Sequence, residues 1–124
     1  MFNDVTLVGR LTRDAEVSEM RNPQKTTVVR FTLAVDRSYQ VDGETPTDFW
    51  PVTVVGEYGT KLAPHLTKGR LVLVAGSAHL DSRKDDAGAY HTYPYVACRQ
   101  IRFLDKPRRD GGGGTEREPG QDEE

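Results

Sequence analysis

The sequence predicts an all-β domain, a five-stranded Greek-key barrel with one short helix between its third and fourth strands. Three observations carry this reading. Residues 1–104 contain five β-rich runs separated by turn signals. One of the runs, residues 27–35, alternates apolar and polar residues with period two, the pattern of a half-buried strand. One segment alone switches to helical spacing, and it follows the third run.

The first run, residues 5–9, contains Val5, Leu7 and Val8 and ends at Gly9. The second, residues 27–35, puts Val29, Phe31, Leu33 and Val35 on one face and Arg30 and Thr32 on the other. Asp42-Gly43-Glu44 is a turn signal that joins it to the third run as a hairpin. In the third, residues 49–55, Phe49, Pro51, Thr53 and Val55 share one face and Trp50, Val52 and Val54 the other. Pro51 cannot donate to a ladder, so an edge or a bulge is expected there. Residues 57–66 place Tyr58, Leu62 and Leu66 at helical spacing, and Pro64 limits that helix. Lys68-Gly69 then turns the chain into residues 70–76, apolar on both faces and expected to be central. A last turn at residues 85–88 leads into a long strand, 90–103, read with Tyr93, Tyr95, Ala97, Arg99, Ile101 and Phe103 on one side. This order is that of the OB-fold. An SH3-like barrel also has five strands, but the apolar helical segment favours the OB-fold.

Length and composition agree with one small domain. The chain has 124 residues, 35% hydrophobic and 29% charged, within the usual domain size of about 100–150 residues. Residues 105–124 carry seven acids and four bases and contain no aliphatic or aromatic side chain. They cannot bury enough surface to offset ordering entropy, so a disordered, Gly-rich acidic tail is expected there. That leaves residues 1–104 with 13 bases against 12 acids, a near-neutral body. No run reaches the roughly 18 apolar residues that span a bilayer. The N-terminus has neither a basic start nor an apolar core of signal-peptide length. The expected location is the cytoplasm, with no membrane partner.

Catalysis lacks its chemistry. His65, His79 and His91 stand in no metal-ligand spacing, and Ser18, Ser38, Ser77 and Ser82 have no nucleophile-elbow context. The glycine run 111–114 is not followed by Lys-Ser/Thr, so it is no phosphate loop. Cys98 is the single cysteine and reads as a small buried hydrophobe. No catalytic residue, metal or cofactor is expected.

Binding is better supplied. Single strands are held by aromatic platforms for bases and by cations for phosphates. Tyr39, Phe49, Trp50, Tyr90, Tyr93 and Tyr95 lie near strand ends, interleaved with Arg30, Arg37, Lys61, Lys68, Arg70, Arg83, Lys84 and Arg99. Parity puts Trp50 on an apolar face, in the core or an interface, and makes Phe49 the better platform. Tyr39 has no apolar neighbours in its hairpin arm, which favours a functional role. Isolated bases such as Lys61 commonly do no more than solubilise.

The order of these pieces resembles bacterial single-stranded DNA-binding proteins. The resemblance rests on residues 3–17, opening Asn3-Asp4-Val5-Thr6-Leu7-Val8-Gly9-Arg10-Leu11; on residues 31–35; on Thr47-Asp48-Phe49-Trp50 with residues 52–56; and on residues 66–69 leading to 72–76. It implies an OB-fold homotetramer that binds and protects single-stranded DNA without sequence preference, in replication, recombination and repair, associated with the nucleoid. It places Tyr39 and Phe49 at stacking positions and Val55 where an aromatic normally stacks. Arg83 falls near a further stacking position and Lys68 at a retained base, whereas Glu57 and Asp81 stand where the family is basic. Together with Arg37, Lys61, Arg70, Lys84 and Tyr90, these are the expected nucleic-acid contacts; Val5, Leu7 and Trp50 are the expected oligomer interface. These departures predict weaker or redistributed binding. Family tails end in a small apolar tip that recruits replication and repair proteins, whereas this sequence ends Gln121-Asp122-Glu123-Glu124. A paralogue or a phage or plasmid version fits that pattern. Two other readings are a primosome-type dimer that bridges proteins and DNA, and a protein-assembly module whose aromatics bind no nucleic acid.

Overall fold

The computed structural model describes residues 1–106. The expected tail from residue 107 onward lies outside the described residues. Six strands form one sheet: β1 (Val5–Leu11), β2 (Glu16–Glu19), β3 (Thr27–Asp36), β4 (Thr47–Val55), β5 (Leu71–Lys84) and β6 (Tyr90–Phe103). A helix, α1 (Glu57–Leu62), runs into a 3-10 turn (Ala63–His65) between β4 and β5.

Five of these strands close into a ring. β1 pairs with β5, β5 with β6, β6 with β4, β4 with β3, and β3 returns to β1. All pairings in the ring are antiparallel except β4–β6. The expected five-stranded architecture is thus present, and the sixth strand is an addition. β2 pairs only with β3, and all four of its residues are exposed. A strand with no buried face shows no hydrophobic alternation, which is why the sequence hid it.

The core is the inside of the ring. Leu33, Val52, Val54, Val72, Val74, Val96 and Ile101 are almost wholly buried there, capped by Leu62 and Leu66. The parity expected for β3 holds, with Val29, Phe31 and Leu33 inward and Arg30 outward. The helix is shorter than its apolar spacing suggested, because Pro64 allows only a 3-10 turn beyond Leu62. It is tied down by Tyr58, whose hydroxyl accepts from the Ile101 amide (2.8 Å) and donates to the Ile101 carbonyl (3.2 Å). Pro51 pairs with Thr32 of β3, while the β6 ladder starts at Val52, so its missing N–H costs no bond on that side.

β6 corrects the sequence reading. Its register against β5 slips between Ala75 and Gly76, leaving Arg99 unpaired. One extra residue in a strand reverses which face follows. Ile101 and Phe103 are buried, as is Val96, so Tyr93, Tyr95 and Ala97 lie on the opposite, outer face. Beyond the ring β5 and β6 run on together as a two-stranded arm, paired from His79–Tyr95 to Lys84–Tyr90.

Candidate nucleic-acid interface

The outer face of β4 carries Phe49, Pro51, Thr53 and Val55, with Phe49 64% exposed. Alternation forces this: Val52 and Val54 fill the core, so their neighbours point out. The arm faces this surface across a groove of about 540 Å³. Pro51, Thr53, Val55, Arg30 and Met20 line one side, and Asp81, Arg83, Tyr93, Pro94 and Tyr95 line the other. Ala97 and Cys98 complete the lining. Arg30 donates to the Ser18 hydroxyl (3.1 Å) and, among the described residues, forms no ion pair, although Glu16 is its cross-strand partner on β2. Arg83 shares its charge with Asp81 at 3.1 Å.

Tyr39 stands half-exposed beyond the end of β3. Arg37 grips Asp48 with two 2.9 Å bonds and donates a third to the Tyr39 hydroxyl. These bonds, Asp48 first, hold the Arg37 guanidinium protonated well above its ordinary range, and Arg37 holds the Asp48 carboxyl below its own. Arg37 therefore positions Tyr39, and its charge is already answered by Asp48. The sequence placed it among the direct contacts.

Other expected contacts do not converge on the groove. Arg70 is buried, and this corrects its assignment to DNA. Its guanidinium meets Asp105 at 3.0 Å, donates to the His65 carbonyl at 3.1 Å and lies 4.5 Å from the centre of the Phe103 ring. Asp105 also accepts from the Leu71 amide (3.2 Å), so the folded body runs one residue past the expected boundary. Lys84 and Tyr90 are cross-strand partners near the arm's tip, with the ammonium 5.8 Å from the ring centre. By alternation they occupy the face opposite Tyr93 and Tyr95. Lys61 is exposed on α1, away from the groove lining. Lys68 is exposed beside a separate cleft with Asp14, His65 and Asp105. Val5, Leu7 and Trp50 are half-buried and pack against the core of their own chain.

Met20 was not a candidate, and Arg30, Tyr93 and Tyr95, though among the candidate cations and aromatics, were left out of the expected contacts. The two tyrosines were placed with Ile101 and Phe103 because nothing in the local sequence marks the slip at Arg99. Arg30 could have been found from its outward parity on β3 beside the outward face of β4.

Cys98 gives a direct check on this geometry. Burial pushes its thiol up to about 11, and the S–H donates to the Gln100 carbonyl. Because the thiolate is the reactive form, native protein at about pH 8 should react with a disulfide reagent on the order of 100-fold more slowly than a free thiol. Urea should restore the ordinary rate. Fast reaction in the native state would contradict that desolvation of the half-buried Cys98 thiol.

Among the described residues, no group of three His, Cys, Asp or Glu is placed to hold a metal ion. No helix of the described residues is long and apolar enough to cross a membrane.

Known proteins resemble this chain in sequence and in shape. The single-strand binding protein family matches residues 2–104. A single-stranded DNA-binding protein of Caldanaerobacter subterraneus subsp. tengcongensis is 38% identical over 93% of this chain and 75% of its own length. Its counterpart from Thermotoga maritima is 35% identical over 94% of this chain and 84% of its own. The Plasmodium falciparum SSB complex with ssDNA has the same fold, with a TM-score of 0.73 at 22% identity, covering 85% of this chain and 96% of that one.

Proposed function

The chain belongs to the single-strand binding protein family, and we propose that it binds single-stranded DNA without sequence preference along the β3–β4 face and the arm. The observation that carries this reading is the groove itself. Apolar and aromatic side chains line both walls, and Arg30 brings a cation that forms no ion pair among the described residues. Every base has a π-face, so such platforms hold any sequence. Phe49 continues the line of Pro51 and Val55 toward the end of β4 next to the Tyr39 hairpin. Bases would stack on Phe49, Tyr93, Tyr95 and Tyr39, with phosphates on Arg30 and Arg83.

We further propose a homotetramer, with the half-buried Val5, Leu7 and Trp50 completing their burial against other copies. Protection of exposed strands in replication, recombination and repair follows from that activity. The test is a titration of labelled dT oligomers of increasing length at low salt, alongside a mass measurement in solution. Absence of binding at low salt would overturn the DNA reading. A dimer mass would overturn the tetramer and favour the bridging alternative.

Salt dependence separates groove cations from bystanders. Each phosphate neutralised on a single strand contributes about −0.7 to the slope of log affinity against log salt. Arg30→Ala should make that slope shallower by about 0.7 and weaken all sequences alike. Lys61→Ala should leave it unchanged. The readout is fluorescence anisotropy across a salt series.

A further inference from the structure

The groove face of the arm holds four rings. His79 stacks on Tyr95, its cross-strand partner, with ring centres 5.4 Å apart and planes 24° apart. His91 lies along Tyr93 at 6.4 Å and 29°. Register explains the strip: Ser77, His79, Asp81 and Arg83 oppose Ala97, Tyr95, Tyr93 and His91 on one side of the arm.

The two imidazoles differ in their partners. His91 Nε2 sits 2.7 Å from the Asp85 carboxylate, which is held below the ordinary carboxyl range chiefly by that bond and by the Ala89 amide. A proton on His91 is therefore answered within the turn. His79 is exposed, and its Nε2 meets only the neutral Ser77 hydroxyl, at 2.8 Å. The charged groups around it are few. On β5 Asp81 is paired with Arg83. On β6 Arg99 is paired with Asp4, next to Asn3, whose side chain grips the Ala78 backbone. Across the groove stands Arg30. Among the described residues no carboxylate pairs with His79.

We propose that His79 is a further nucleic-acid contact, an imidazole held flat on Tyr95 that binds a phosphate of single-stranded DNA when protonated. Imidazole changes charge between pH 5 and 8. The neutral ring offers one N–H; the protonated ring offers two donors and a full charge. DNA then favours the protonated form, so affinity rises as pH falls and is lost as pH rises through the imidazole range in the complex. The inference rests on the groove being the DNA site.

The experiment is dT-oligomer affinity from about pH 7.5 to about pH 5.5, a range in which imidazoles titrate; thymine does not change charge there. Wild type should bind on the order of three-fold tighter at the acidic end, the scale of one exposed charge pair. Its salt slope should steepen by about 0.7. His79→Gln should remove both effects while still binding at neutral pH. His79→Lys should bind tightly and without pH dependence over that range. His91→Gln and His65→Gln should keep the wild-type profile. A flat wild-type profile with normal DNA binding overturns this inference alone, as does an unchanged pH dependence in His79→Gln. Absence of binding at every pH overturns instead the reading of the groove.

Discussion

Replacing Tyr39 and Phe49 together by alanine is expected to weaken single-stranded DNA binding by between about thirty-fold and about 10⁴-fold. Each stacked base is worth roughly 1–3 kcal/mol by alanine substitution, and every 1.4 kcal/mol is about tenfold. Neither side chain supports the core. Phe49 is 64% exposed, and Tyr39 accepts from Arg37 at its hydroxyl, with the guanidinium 5.9 Å from the ring centre. Urea unfolding should therefore be nearly unchanged, and the oligomer mass fully so. That pairing of outcomes tells a DNA site from an assembly interface. Loss of the oligomer together with DNA binding would instead make these aromatics the glue between copies. Arg37→Ala offers a graded version. It leaves the Tyr39 ring in place but removes its anchor, so its effect should be smaller than that of Tyr39→Ala and should appear mainly as faster dissociation.

What the sequence made legible was whatever repeats along one element. Alternation placed Leu33, Val52 and Val54 inward and Phe49 and Val55 outward, and helical spacing placed Leu62 and Leu66 against the barrel. The helix-limiting Pro64 was equally readable, as was the turn at Asp42-Gly43, whose two residues have positive φ. What stayed hidden depends on partners distant in sequence. Arg70 reads as a surface base until Asp105, 35 residues on, is seen to neutralise it. Arg37 looks free until Asp48 closes on it. Tyr93 and Tyr95 seemed to share a face with Ile101 because a strand was counted through a residue that its partner skips. The face that carries Phe49 was accordingly read without the two tyrosines that stand across the groove from it. Val55 does lack a ring, but two tyrosines across the groove face it.

The same slip sets the site's most fragile point. Gly76 is buried where β5 leaves the ring for the arm, and a Cβ built there would stand 2.1 Å from the Ala97 carbonyl oxygen and 3.0 Å from Cys98 Cα. Those are backbone atoms, so no rotamer change can make room. Either β5 and β6 part or the register shifts by a residue, which would turn every arm side chain to the other face. Gly76→Ala should therefore cost at least about 3 kcal/mol, beyond ordinary overpacking, out of the roughly 5–15 kcal/mol that holds a domain together. Gly43→Ala is the matched control. Its site is open, with nothing within 4 Å, and only its φ of +81° resists a side chain, so about 1 kcal/mol is expected. Urea midpoints of the two variants should differ accordingly. If Gly76→Ala stays folded, the register argument makes a second demand. Tyr93 and Tyr95 must leave the groove, so affinity for dT oligomers should fall with them. A stable Gly76→Ala protein with intact DNA binding would mean that the arm is not held at this crossing, and the groove would lose its second wall as a fixed feature.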